Sequence, residues 1–178
     1  MIFEEKKDLE FRAWFKAFLR FMLPALGLGV LALFFSVPFR IPGRPELQVA
    51  ILLEAVWFYT MYAPQMMWAG NIFVGGLLCE IFVPTPPGFL VFWMIMEAEL
   101  VRVVRMRLCE GGFLFSWFLF SFVSCGASLS LWGLFALRDF LFLSPHPAMF
   151  FCLLSIGIYP LFYLLWNSVL YFFLRTKR

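Results

Sequence analysis

Three carboxylates stand inside runs of apolar and aromatic residues. Glu54 lies in ILLEAVWF, Glu80 in GGLLCEIF and Glu97 in WMIMEAEL. Acids in such surroundings are costly, and a membrane-spanning segment keeps one only where it faces a bundle interior, meets trapped water, or is held neutral. Counted at about 1.5 Å per residue from the outer ends of the expected spans, Glu54 and Glu97 lie at the same depth, roughly 10–14 Å. Glu80 lies only about 5 Å deep on the same count. Glu54, Glu80 and Glu97 therefore form a candidate intramembrane polar pocket, with a hydrogen-bonded structural carboxyl as the plainer reading of each. Glu99 stands three residues before Arg102 and is read as its ion-pair partner.

The other chemistry-bearing residues point to no reaction. His146, the only histidine, sits between two prolines and has no partner in its segment. Cys79, Cys109, Cys125 and Cys152 form no C-x-x-C pair, and they read as small packing residues in a reduced protein. The chain has no phosphate-cradling glycine loop, no G-x-S-x-G and no metal-ligand spacing. No catalytic residue, metal or cofactor is expected, and the protein is not read as an enzyme.

Composition sets the solvent. The chain of 178 residues is 63% hydrophobic and 21% aromatic, with 14% charged residues. So little polar side chain cannot cover a molecule in water, so lipid must be the main solvent. The net charge of +3 is no argument for nucleic acid, because Lys and Arg sit at the ends of apolar runs.

The elements that must position the acids follow from the breakers. Residues 1–20 hold Asp8, Arg12, Lys16 and Arg20 four apart, the polar stripe of an amphipathic cytoplasmic segment lying along the interface. The remainder, 21–178, reads as one six-helix integral membrane domain. Span one is 21–37. The apolar run 47–83 is too long for one crossing, and Ala63-Pro64-Gln65 divides it into spans two and three. Pro84-Thr85-Pro86-Pro87 turns span three into span four, 88–104, which closes on Arg102, Arg105 and Arg107. Spans five and six are 111–137 and 147–173. Small residues spaced for close helix approach mark two packing or partner faces: Gly75 with Cys79, and Gly126 with Ser130 and Gly133.

At this point the order of features resembles the rod-shape-determining MreD family, over about residues 26–177. The resemblance rests on PELQVAILLEAVWFYTMYAPQ, then FVGGLLCEIF, PTPPGF, the basic end of span four, and SIGIYPLFYLLW with Pro160 near the end. Glu80 stands where the family has an acid, and Pro87-Gly88 stands at its turn. The resemblance implies an all-α fold like the substrate-binding subunits of energy-coupling-factor transporters. It also implies a non-enzymatic component of the bacterial cell-elongation complex supporting peptidoglycan synthesis and cell shape. The partner would be an MreC-like bitopic protein, in company with MreB, RodA and a penicillin-binding transpeptidase. The alternative is a transporter-like membrane subunit binding a small molecule near Glu54 and Glu97.

Orientation follows from eleven Lys and Arg in the segments assigned to the cytoplasm against three outside. Both termini are therefore expected on the cytoplasmic face of a bacterial inner membrane. Reporters fused after Arg178 and at Arg107 should both read cytoplasmic, and reporters at Pro42 and Pro145 periplasmic. A periplasmic signal at Arg178 would remove an odd number of crossings from the count.

Overall fold

The computed structural model describes residues 22, 24–36, 44–65, 67–139 and 144–175. The amphipathic segment expected over 1–20, and Lys177 and Arg178, lie outside the described residues. Among the described residues the regular structure is all α-helical. Helix α1 is Pro24–Ser36. Helices α2, α3, α4 and α5 are Arg44–Tyr62, Ala69–Phe82, Phe89–Asp139 and His146–Arg175. Helix α4 is broken at Gly112, so its two arms (89–111 and 113–139) bring the number of helical segments to six.

The breaks fall where the breakers place them. Pro64 and Gln65 form the turn after α2, and the chain from Pro84 to Gly88 forms the turn before α4. Gly88 has φ 82°, a conformation open to glycine at little cost. Gly112 combines φ 66° with ψ −167°, a region that is essentially glycine-only. A residue with a Cβ could not make that bend without strain.

The expected lengths need correction. Two segments, Glu110–Arg138 and His146–Leu165, are long and apolar enough to cross a membrane alone. Helix α3 has 14 residues, about 21 Å against a hydrocarbon core of about 30 Å. Helix α1 is likewise a shorter apolar helix. Helix α2 carries Glu46, Gln48 and Glu54, and the first arm of α4 carries Glu97, Glu99 and three arginines.

Those polar helices are the ones the bundle encloses. Ten consecutive residues of α2, Val49 to Phe58, are buried, so this helix is covered on all sides. The contacts along it set the direction of every neighbour. Gln48 Nε2 donates to Ala32 O (2.9 Å) and Ser36 Oγ (3.1 Å), which runs α1 antiparallel to α2. Cys79 Sγ donates to Leu28 O at 3.5 Å, and Ser36 Oγ to Phe82 O at 3.2 Å, so α3 runs parallel to α1. Trp93 Nε1 donates to Ser130 Oγ at 2.8 Å, folding the second arm of α4 back on the first. Helix α5 returns along that arm.

The aromatic centre lies between α2, the second arm and α5. Trp57 Nε1 donates to Ser116 Oγ at 3.2 Å, and Ser116 Oγ shares a 2.5 Å hydrogen bond with the Tyr159 hydroxyl. Phe58 and Phe120 stack on Tyr159 with ring centroids 5.3 and 4.9 Å away. Outside this core the surface is apolar. Phe118, Phe122 and Leu129 are 72%, 73% and 65% exposed along one face of the second arm, which suits contact with lipid tails better than with water.

Helix α5 contains Pro160, which has no N–H to give the carbonyl of Ile156. Trp117 Nε1 fills that vacancy, donating to Ile156 O at 3.0 Å. Proline inside a lipid-exposed helix is tolerated where a neighbour supplies such a donor.

Gly112→Ala should lower the resistance of the detergent-purified protein to thermal unfolding by about 1–3 kcal/mol, the strain of forcing a Cβ into that region. Gly157→Ala is the control, because a Cβ there meets nothing within 4 Å. Equal melting of the two variants would contradict the bend described here.

Candidate functional site

The structure brings two of the three predicted acids together and sends the third elsewhere. Glu54 on α2 and Glu97 on the first arm of α4 are 0% and 1% exposed. Their helices run parallel, since Arg105 Nε donates to Met61 O at 3.1 Å further along the same contact. Glu97 lies eight residues before Arg105 and Glu54 seven before Met61, so the two acids stand at one level of the contact between these helices. All four of their oxygens lack a hydrogen-bond partner among the described residues.

The residues beside them on their own helices do not relieve the deficit. Leu53 and Ala55 precede and follow Glu54, and Ala98 follows Glu97, with Met94 and Val101 one turn either way; all are buried. None of these offers an N–H or O–H from its side chain. Among the described residues no group of three or more His, Cys, Asp or Glu could hold a metal ion. A buried carboxyl left without a partner is among the most expensive features a core can carry. Two such carboxyls on neighbouring helices can jointly accept a cationic or hydrogen-bond-donating group from outside the chain.

Glu80 is not part of that pair. Its Oε2 accepts from Gly88 N at 2.9 Å and its Oε1 from Val91 N at 3.2 Å. Those are two of the N–H groups that the start of an α-helix leaves unpaired, and a carboxylate there also suits the helix dipole. Glu80 is thus the cap of α4, supplied across the Pro84–Pro87 turn by the preceding helix. Spacing in the sequence does not reveal this, because the pairing depends on how sharply that turn folds.

The basic end of the first arm works in the same way on the opposite side of the bundle. Arg102 pairs with Glu99, as the three-residue spacing predicts, and also donates to Met67 O. Arg105 reaches Met61 O near the end of α2. Together they fasten the turn between α2 and α3 by its carbonyls.

The two small-residue faces are occupied within the chain over most of their length. A Cβ on Gly75 would come within 3.3 Å of the Ala25 backbone, and Cys79 bonds to Leu28, so α1 fills that face. A Cβ on Gly126 would come within 2.8 Å of the Trp93 ring, and Ser130 accepts from the same indole. Gly133 alone among these positions has open space around it. It borders a groove of about 490 Å³ lined by Phe92, Trp93, Ser130 and Leu137 among others.

Two polar features of the core escaped the sequence reading. The Trp57–Ser116–Tyr159 line has no local signal, since its members are 59 and 43 residues apart. The Trp117 bond to Ile156 did have one: Pro160 inside a long apolar helix implies a freed carbonyl four residues earlier. No protein-family model, curated protein or solved structure matches the chain significantly.

Replacing Glu54 or Glu97 with Leu should raise the melting temperature of the purified protein while abolishing its activity in cells, the pattern of a site kept at a cost to stability. Glu80→Ala should lower stability by about 0.5–2 kcal/mol through loss of a helix cap. A Glu97→Leu protein that is more stable and still active would reduce the pair to a structural remnant.

Proposed function

We propose that this chain is a non-enzymatic component of the bacterial cell-elongation machinery, resembling MreD, with six membrane crossings and both termini in the cytoplasm. The observation that carries the reading is the order of PELQVAILLEAVWF, FVGGLLCEIF, PTPPGF and SIGIYPLFYLLW along one chain. An all-helical bundle with an apolar exterior supports it. So does the alternation of the turns. The α2–α3 turn and the end of the first arm are tied together by arginines. The ends of α1 and α3 meet the start of α2 on the other side.

In this reading the shorter helices α1 and α3 cross as part of the bundle, tilted or with local thinning of the bilayer. The partner is an MreC-like protein with a single transmembrane helix, acting beside MreB, RodA and a penicillin-binding transpeptidase. Its helix docks at the Gly133 end of the second arm, where an added Cβ would meet nothing within 4 Å among the described residues. Small residues favour such docking because they let two helix backbones come close in lipid.

A second reading is favoured by one observation, the unpartnered pair Glu54 and Glu97. A transporter-like subunit would use those carboxyls to hold a small molecule bearing a positive charge or several hydrogen-bond donors.

The test is affinity purification of the tagged protein from its own cells, comparing wild type with Gly133→Leu and Gly75→Leu. An MreC-like protein and wall synthases should co-purify with wild type. Gly133→Leu should keep the folded yield, lose the partner and round the cells, whereas Gly75→Leu should lower the yield, because α1 has no room for the larger side chain. Recovery of an ATPase pair, with normal shape and failed growth on a scarce nutrient, would give the transporter reading instead.

A further inference from the structure

Cys125 and Cys152 are 27 residues apart in sequence and face each other between the second arm of α4 and α5, with sulfurs 2.7 Å apart. Two hydrogen bonds hold this register from either side. Ser128 Oγ donates to Ala148 O, and Trp117 Nε1 donates to Ile156 O. The two thiols are thus held opposite each other by bonds that do not involve them. Both are half-buried. Both also line an apolar groove of about 510 Å³ shared by the two helices, with Ser128, Trp132, Met149 and Leu153 in its walls. Cys152 lies six residues into α5, about 9 Å along the axis from His146, so the pair sits toward one end of the bundle. A small apolar reagent in the membrane can reach it through the groove.

We propose that Cys125 and Cys152 form a reversible disulfide that staples the second arm of α4 to α5, the oxidant being an exchangeable disulfide. A disulfide holds its sulfurs at about 2.0 Å, so closure from the 2.7 Å separation needs the two sulfurs to approach by about 0.7 Å. One protein thiol loses its proton, and its sulfur attacks the oxidant, expelling one half as a thiol and leaving a mixed disulfide. The second protein thiol then attacks the protein sulfur of that mixed disulfide and expels the other half. Two protein thiols become one S–S bond, the oxidant's S–S bond becomes two thiols, and two electrons and two protons pass to the oxidant. The bond crosses the wall of the groove, so oxidation fixes the groove's width and reduction releases it.

The test treats the full chain in detergent with dithiodipyridine, a small apolar disulfide, then denatures it and alkylates every remaining thiol. Two pyridinethione molecules should be released per protein for this pair, and peptide mass spectrometry should find residues 125 and 152 joined. Dithiothreitol should restore both thiols to alkylation. The oxidised protein should melt at a higher temperature than the reduced one. C125A and C152A should each lose the linked peptide and the oxidant-dependent shift. Stable mixed disulfides on Cys125 or Cys152 in place of the link would overturn the proposal. So would both cysteines staying fully alkylable after treatment, or a linked peptide that pairs either of them with Cys79 or Cys109.

Discussion

A helix surrounded by hydrocarbon cannot leave a backbone N–H or C=O unpaired, because no water is present to take its place. Among the described residues, several irregularities meet that constraint with a polar side chain borrowed from another element. Glu80 of α3 takes the free N–H groups at the start of α4. Arg105 of α4 takes a carbonyl at the end of α2, and Arg102 one in the turn that follows. Trp117 takes the carbonyl that Pro160 releases in α5. Without these four side chains the two turns would depend on water for their free groups, and the carbonyl released by Pro160 would lose the indole that answers it. With them in place, the interior combines apolar packing with a few internal bonds such as the Trp57–Ser116–Tyr159 line.

Much of the architecture was legible because breakers are local. Pro64, the Pro84–Pro87 run and Pro145-His146-Pro147 divide the chain where the helices divide. The meeting of Glu54 and Glu97 was legible too, since depth along a helix is counted in residues and both acids fall at one level. The length of α1 and α3 was not, because an apolar run does not say how many of its residues are wound into helix. Nor was the true place of Glu80. Its burial depth marked it as different from the other two, but its partners sit beyond a turn whose geometry depends on Gly88. On the small-residue faces, Gly75 and Gly126 lie against close neighbours, while Gly133 does not. Which neighbour fills each one depends on helix order in three dimensions, and periodicity does not carry that.

Glu54 and Glu97 depart from that constraint with all four of their carboxyl oxygens. Thr60 Oγ1 and Ser124 Oγ are also buried without a hydrogen-bond partner among the described residues, but a carboxyl is the costlier group to leave so. The most enclosed helix of the bundle carries one of them, with apolar residues before and after it. A core of this kind would be easier to fold with leucine at both positions. The pair is therefore the candidate place for fold and function to pull in different directions, as polar or strained exceptions do at working sites.

The arginines at the end of the first arm do two things at once in the six-crossing reading proposed above. Positive charge near a span end biases which side of the membrane a loop is kept on, and in that reading Arg102 and Arg105 belong to the signal. The same two side chains hold the α2–α3 turn by its carbonyls. In that reading, charge read during insertion serves again as a fastening in the finished molecule. Removing either guanidinium would then weaken both the bias on the loop and the closure of the turn.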